Sequence, residues 1–190
     1  MSEVVAEAPL AVSLATSPLV RSRRLGDYLP RHALYAALLG VPAVVLAALL
    51  SLPFPAAQGP GFVVVGILAA PVVEEASKLA MVVWMGRRLG VQASAEGWLV
   101  LGACVGFGFA LVETAGYALV FGATPAGMAY VGLSRMAFLP VHALTAGLAA
   151  YGYGTWKEGR GAGRFAAGVA LAVLLHGVHN GFGFLLGGAV

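Results

Sequence analysis

The 190-residue chain contains little of the chemistry that most protein families use. It has one cysteine, Cys104, and one aspartate, Asp27, and only 10% of its residues are charged. A single cysteine excludes an internal disulfide and a cysteine-rich metal site. A single aspartate excludes a pair of intramembrane aspartates. Soluble domains carry about 25% charged residues, whereas 60% of this chain is hydrophobic. The composition therefore predicts an integral membrane protein.

Five apolar segments are long enough to cross a bilayer as helices, since one span needs about 20 residues. Stretches rich in proline and glycine mark the first and third connections between them. The predicted helices cover residues 33–52, 62–86, 97–121, 126–153 and 165–189. The sequence thus predicts an all-α membrane protein, a bundle of about five transmembrane helices over residues 33–190. Residues 1–32 are predicted to form a flexible or interfacial cytoplasmic segment.

The basic residues outside the predicted helices are distributed unequally between the connections. They precede the first helix or lie in the second and fourth connections, whereas the other two connections contain none. The positive-inside rule then predicts a cytoplasmic N-terminus and an external C-terminus. Three tryptophans fall at the same predicted interface, as in an aromatic belt: Trp84, Trp98 and Trp156.

Several ionisable side chains nevertheless lie inside the predicted helices. Placing a charge there costs at least ~2.5–3.5 kcal/mol even on lenient insertion scales, which favours a functional use. Glu74, Glu75 and Lys78 lie three or four residues apart and can cluster on one helix. At 1.5 Å per residue, these groups and those of three later helices lie at or slightly outside the membrane midplane. The later groups are Glu113, Arg135, His142, His176 and Asn180.

Backbone breaks are predicted close to the polar groups. Pro71 leaves the carbonyl of Ile67 without its helical partner, and Pro140 does the same to Met136. Open backbone at this depth is tolerated where it is buried in protein or faces water. Small-residue motifs predict that the third and fifth helices are tightly packed partners: Gly102-x-x-x-Gly106, Gly177-x-x-x-Gly181 and Gly183-x-x-x-Gly187.

Paired carboxylates with histidine and an amide suit the hydrolysis of a peptide bond. An ionised glutamate can take a proton from water, and a second carboxylate that shares a proton permits acid as well as base work. Histidine and asparagine N–H groups can hold an oxyanion, and loss of one such donor typically costs about 100- to 1000-fold in rate. The zinc-protease motif His-Glu-x-x-His and the nucleophile motif Gly-x-Ser-x-Gly are absent from the sequence.

Four motifs, in order, resemble those of the PrsW-type intramembrane proteases, which belong with the CAAX prenyl endopeptidases and the bacterial CPBP proteins. They lie in four of the five predicted helices. The prenyl endopeptidases have histidine at the position of Glu113 and arginine one position after Lys78, so these two residues favour the PrsW branch. The motifs are Glu74-Glu75-Ala-Ser-Lys78, Phe109-x-x-x-Glu113, Arg135 with His142, and His176-x-x-x-Asn180.

The resemblance implies a glutamate-dependent endopeptidase that cleaves membrane-anchored proteins, such as anti-sigma factors, in a bacterial or archaeal plasma membrane. It implies no cofactor and no nucleic-acid partner. Glu74 would activate water with help from Glu113. Glu75 would pair with Lys78 or Arg135 and hold the site in shape. Because the polar groups lie at or outside the midplane, we expect a cut in the middle or outer half of the substrate's membrane segment.

The remaining motif residues also receive roles from the resemblance. His176 and Asn180 would form the oxyanion hole, and His142 would orient water or substrate. Phe109 would support the site. His179 is rotated away from His176, so we expect it to serve packing.

Three other interpretations remain open. The first keeps the protease but adds zinc, because carboxylate oxygens and imidazole nitrogens are suitable ligands. The second is a proton- or ion-coupled transporter, since intramembrane acids and bases also build relays; the sequence shows no convincing internal repeat. The third is a scaffold protein without proteolytic activity. The candidate zinc ligands are Glu74 or Glu75, Glu113, His142 and His176.

Overall fold

The computed structural model describes residues 31–53, 61, 63–91 and 93–185, and its regular elements over these residues are all helical, as predicted. All but the last two residues of the predicted N-terminal segment, 1–32, lie outside the described part. The elements are α1 (Arg31–Leu38), α2 (Gly40–Ser51), a π-helical segment (Val63–Ala69), α3 (Ala70–Leu89), α4 (Ala95–Phe121), α5 (Pro125–Arg135), a 3-10 turn (Met136–Phe138), α6 (Leu139–Lys157) and α7 (Ala162–Leu185).

The helix ends follow from local sequence. Ser94 precedes α4, and its hydroxyl accepts a hydrogen bond from Gly97 N at 3.3 Å. Thr124 caps α5 in the same way at 3.1 Å, with proline at the first helical position. These are the residue types that satisfy the free N–H groups of a first turn. Gly90 ends α3 with φ of 60°, a conformation that glycine adopts without steric cost.

Within the described residues, three helical stretches are long and apolar enough to cross a membrane: His32–Ser51, Ala95–Phe121 and Ala162–Gly183. A fourth is added if α5 and α6, which are bent by 43° at the 3-10 turn, form one span. Helix α3 also has 20 residues, but it contains Glu74, Glu75 and Lys78. These charged residues make it too polar to be recognised as a span from composition alone. A fifth span and the orientation stay predictions.

The central helix of the bundle is α4, which packs most extensively against α6. A Cβ atom at Gly106 would collide with the carbonyl oxygen of His142, and one at Gly102 would lie 2.5 Å from the carbonyl oxygen of Ala146. The tight packing predicted for the third helix is therefore present, but the predicted partner is wrong: it packs against α6 rather than against the fifth predicted helix. This close approach fixes the backbone of α6 at His142.

An apolar core fills the end of the bundle where α4 begins. Trp98 is 2% exposed and packs edge-on against Tyr153, with ring centroids 5.1 Å apart. Gly86 faces the Trp98 ring from α3, and Gly154 faces it from α6. The prediction that Trp98 belongs to an interfacial belt is wrong, because its side chain is buried between α3 and α6. Trp84 and Trp156 are 46% and 47% exposed.

Both predicted breaks at proline are present, but one differs in register. Before Pro140 the chain tightens into the 3-10 turn, and the carbonyl of Met136 accepts from Leu139 N instead. Before Pro71 the chain widens into the π-helical segment. A π-helix pairs residue i with residue i+5, so the carbonyl opposite Pro71 is that of Gly66 rather than that of Ile67.

Candidate functional site

The Glu75 carboxylate joins three helices. Its Oε1 atom accepts from Lys78 Nζ at 2.8 Å and from Thr145 Oγ1 at 2.9 Å, and it lies 2.8 Å from His176 Nδ1. Lys78 lies on α3, Thr145 on α6 and His176 on α7. An ionised carboxylate only accepts, so His176 Nδ1 carries the hydrogen, and in the neutral ring Nε2 presents a lone pair. Glu75 thereby fixes the orientation and the tautomer of His176.

The surroundings of the neighbouring Glu74 carboxylate differ from those of Glu75. Its Oε2 atom is buried and has no hydrogen-bond partner among the described residues. It lies 3.6 Å from His176 Nε2, 3.7 Å from Lys78 Nζ and 4.0 Å from His142 Nδ1. These distances exceed those of direct hydrogen bonds. The carboxylate oxygen of Glu74 therefore faces a small gap that nitrogen atoms surround.

The third carboxylate, Glu113, is held from two sides. Its Oε2 atom accepts from Arg135 Nη2 at 3.0 Å and lies 3.1 Å from His142 Nε2. The Arg135 guanidinium stacks over the rings of Tyr117 and Phe138, with its Cζ atom 3.6 and 4.7 Å from their centroids. Such stacking stabilises a desolvated cation, so Arg135 is fixed in place at the edge of the site.

His142 connects the carboxylates to Lys78. Its Nδ1 atom lies 2.8 Å from Lys78 Nζ, and an ammonium group only donates. The ring therefore accepts at Nδ1 and donates from Nε2 to Glu113. Phe109 covers this pair, with its ring centroid 4.2 Å from Lys78 Nζ and 5.4 Å from that of His142. The Lys78 side chain is fully buried as a result.

A cavity of about 100 Å³ lies beside these groups. Since a water molecule occupies about 30 Å³, it has room for a few waters. Glycine and alanine of the π-helical region, Gly66 and Ala70, form part of its wall. The polar residues that line it are Glu74, Glu113, Tyr117, Arg135, His142, His176 and Asn180.

Asn180 and His179, neighbours on α7, have different surroundings. Asn180 is 8% exposed, and its Nδ2 atom donates to the Gly66 carbonyl at 3.0 Å. His179 is partly buried and packs edge-on against Phe138, with centroids 4.3 Å apart. Its position beside a ring agrees with the packing role expected for it.

Three of the cavity residues could hold a metal ion. Glu74, His142 and His176 each offer a ligand atom, and these atoms lie within 4.8 Å of one another. Zinc binds such atoms at about 2.0–2.2 Å in a tetrahedron, which places the ligand atoms roughly 3.3–3.6 Å apart. The Glu74 to His176 distance of 3.6 Å meets this requirement. The 4.0 Å from Glu74 to His142 Nδ1 exceeds it, so His142 would have to move closer to hold the ion. Glu113, also predicted as a ligand, is outside this group because Arg135 and His142 hold its carboxylate.

The structure brings together every residue that the sequence singled out for the site. They are Glu74, Glu75, Lys78, Phe109, Glu113, Arg135, His142, His176 and Asn180. Sequence reasoning missed Thr145, Tyr117 and Gly66. Thr145 lies three residues after His142, and Tyr117 lies four after Glu113, so helical spacing from a known site residue could have found both.

The fold and the site together define a helical membrane protein with a polar, water-accessible centre built from carboxylates and imidazoles. The family model of the PrsW family intramembrane metalloprotease matches residues 28–190. The chain therefore belongs to this family, and the resemblance seen in its motifs is confirmed. Family membership supports protease activity within a membrane. Searches of curated proteins and of solved structures found no match.

Proposed function

We propose that the protein is an intramembrane endopeptidase that hydrolyses a peptide bond in a membrane-anchored protein of the anti-sigma-factor kind. It would act in the plasma membrane of a bacterium or archaeon. The observation that carries this proposal is the pair of facing acceptors in the site. His176 Nε2 and Glu74 Oε2 are 3.6 Å apart, and both present electron pairs to a gap beside the cavity. Such a gap suits a cation or a reacting water.

We also propose five membrane crossings over residues 33–190, with a cytoplasmic N-terminus and an external C-terminus. The second crossing would be α3, whose 20 residues extend roughly 30 Å at 1.5 Å per residue. The pairing of Lys78 with Glu75 at 2.8 Å lowers the cost of placing these charges in the membrane. Reporter fusions in the α2–α3 and α4–α5 connections, both expected outside, and in the α6–α7 connection, expected inside, would test the topology.

In the version of the mechanism that we favour, Glu74, His142 and His176 hold a divalent cation such as zinc. This ion would supply Lewis-acid polarisation of water and of the scissile carbonyl. The lone pair at His176 Nε2 suits a ligand and cannot donate to an oxyanion, which speaks against the predicted donor role of this residue. His142 can serve as a ligand only if it gives up its contact with Lys78 or with Glu113.

The chain's own groups would then move the proton. Glu113 lines the cavity and is held by Arg135 and His142, so its carboxylate is positioned to take a proton from water. The water oxygen forms a bond to the carbonyl carbon of the substrate. When the C–N bond breaks, Glu113 returns the proton to the amine that leaves. The Arg135 guanidinium lines the same cavity and provides positive charge for the developing oxyanion.

A second version needs no metal, and the position of Lys78 favours it. The ammonium group lies 3.7 Å from Glu74 Oε2 and 2.8 Å from His142 Nδ1, so the site already contains a buried cation. In this version Glu74 takes the proton from water, with help from Glu113, as the sequence predicted. Lys78 would hold the charges together.

Metal content and proteolysis, measured on the same samples, distinguish the two versions. The purified protein would be reconstituted in liposomes with single-span substrates, with and without a chelator. We expect one metal ion per chain in the native protein and loss of both metal and cleavage in His176→Ala. His179→Ala, on the same helix but outside the ligand group, should keep both. Full cleavage by metal-free protein would instead support the version based on Lys78.

A further inference from the structure

The π-helical segment is followed by a proline, which removes one donor from its regular hydrogen-bond pattern. In the i to i+5 pattern, the carbonyl of Gly66 would accept from the N–H of residue 71. Residue 71 is proline, which has no N–H. A carbonyl left without a partner in the membrane costs several kcal/mol, so a donor must come from elsewhere in the bundle.

Helix α7 supplies that donor and follows the backbone of the segment closely. Asn180 Nδ2 donates to the Gly66 carbonyl at 3.0 Å. One turn earlier on the same face, Gly177 has no room for a side chain, because a Cβ atom there would lie 2.6 Å from the carbonyl oxygen of Ile67. Two consecutive carbonyls of the π-helical segment therefore contact α7. The carbonyl of Gly66 accepts from the Asn180 amide, and that of Ile67 lies close to the backbone of Gly177.

This contact borders the proposed reaction site. Gly66 and Ala70 form part of the cavity wall, and Ala70 precedes Glu74 by one helical turn. On the other side, Asn180 follows His176 by one turn. The hydrogen bond from Asn180 to Gly66 thus links α7 to the segment that leads directly into α3. The side chains of His176 on α7 and Glu74 on α3 face each other across 3.6 Å.

We propose that Asn180 is a positioning residue that replaces the N–H missing at Pro71 and thereby fixes the π-helical wall of the substrate cavity. This inference rests on the proposed peptidase function for its effect on catalysis, but not for its effect on structure. It differs from the oxyanion-hole role that the sequence motif implied for Asn180. An oxyanion donor acts on the substrate, whereas a positioning residue acts through the Val63–Ala69 backbone.

Amide hydrogen exchange tests the structural part without any substrate. In Asn180→Leu, which keeps the approximate shape but has no donor, we expect exchange within Val63–Ala69 to accelerate at least about fivefold. Exchange in α4 and α6 should stay unchanged. His179→Ala serves as the control on the same helix and should leave the segment as it is. Unchanged exchange in the segment of Asn180→Leu would overturn the proposal.

A second-site change separates positioning from oxyanion binding. Pro71→Ala restores the backbone N–H opposite Gly66, so the segment can satisfy its own carbonyl. We expect Asn180→Leu to lower kcat/KM about tenfold, mainly through KM. The double variant Pro71→Ala/Asn180→Leu should recover to within about threefold of Pro71→Ala alone.

The two ways of failing give different results. A large loss of kcat in Asn180→Leu that Pro71→Ala does not restore would assign Asn180 to the oxyanion and contradict the positioning role. If the native protein cleaves no substrate, the proposed function fails, while the exchange measurement still decides whether Asn180 fixes the segment.

Discussion

Two buried regions of this bundle are equally shielded from the surroundings but are held together by different forces. Around Trp98 and Tyr153, aromatic rings and small residues pack with almost no charge. Around Glu75 and Lys78, side chains that are at most 1% exposed form ion pairs and hydrogen bonds across helices. Apolar packing tolerates the loss of one polar atom, whereas a buried ion pair does not tolerate the loss of one partner.

The comparison suggests that the two regions contribute separately to stability and to activity. The region of Trp98 and the glycine contacts between α4 and α6 provide stability. The region of Glu74, Glu75 and Glu113 is the proposed reaction centre, and its charges are costly to maintain in lipid. Substitutions in the two regions should therefore affect stability and activity separately, except where the regions meet at His142.

The largest effect is expected from Glu74→Gln. The Glu74 Oε2 atom has no hydrogen-bond partner among the described residues, so its removal breaks no direct bond, but the site loses a proposed ligand or base. We expect cleavage to fall at least about 1000-fold, or about 4 kcal/mol in activation free energy. The melting temperature should stay within a few degrees. Initial rates in liposomes measure the cleavage, and thermal unfolding in detergent measures the melting temperature. Cleavage by Glu74→Gln within tenfold of the native rate would show that Glu74 is structural.

The next effect concerns the contact between α4 and α6. Gly106→Ala places a Cβ atom against the His142 carbonyl, and we expect a loss of about 2–3 kcal/mol in the free energy of unfolding. Activity should also fall, because His142 must move. Gly116→Ala on the same helix, where an added Cβ meets nothing within 4 Å, is the matched control. Equal unfolding midpoints in mixed micelles for the two variants would contradict this packing.

A smaller effect is expected at Thr145, which donates to Glu75 at 2.9 Å. Thr145→Val removes the hydroxyl and keeps the shape, so it should cost about 1–2 kcal/mol of stability and lower kcat/KM about tenfold. Thr155→Val on the same helix removes a hydroxyl bonded to the Gly152 carbonyl and should leave kcat/KM unchanged. A parallel loss of kcat/KM in both would mean that Thr145 has no special link to the site.

The smallest effect should come from Glu158, whose Oε1 atom accepts from Ala95 N at 2.8 Å at the start of α4. Glu158→Gln weakens this cap and its interaction with the helix dipole, so we expect a loss of about 0.5–1 kcal/mol in the free energy of unfolding. Cleavage should be unchanged, since the residue belongs to the Trp98 end of the bundle. An altered kcat of Glu158→Gln in a substrate titration would contradict the separation of stability and activity between the two regions.

The site was more predictable from the sequence than its internal connections. Helical spacing and a common depth were enough to bring residues of four helices together, because each polar group must face the interior. The pairing within the cluster was not predictable in full. Both Lys78 and Arg135 were possible partners of Glu75, and only the packed arrangement shows that Lys78 binds Glu75 while Arg135 binds Glu113.

The fold shows the same limit. Hydropathy located the helices within a few residues, yet depth alone placed Trp98 at the interface because it does not reveal which neighbour a helix face meets. Proline predicted both breaks, but the choice between a tighter turn and a wider one depends on partners elsewhere. Thr145 was missed although it lies three residues after His142, because a neutral hydroxyl can satisfy itself on its own helix and so does not by itself indicate a site.

The contacts of Glu75 have a consequence for the insertion of the protein into the membrane during its synthesis. Lys78 lies on the same helix and pairs with Glu75 at 2.8 Å, so α3 can enter the bilayer with this charge already neutralised. The other two groups, from Thr145 and His176, belong to helices that the ribosome makes later. Glu75 therefore acquires its full set of partners only after α7 has been synthesised and has joined the helices that precede it.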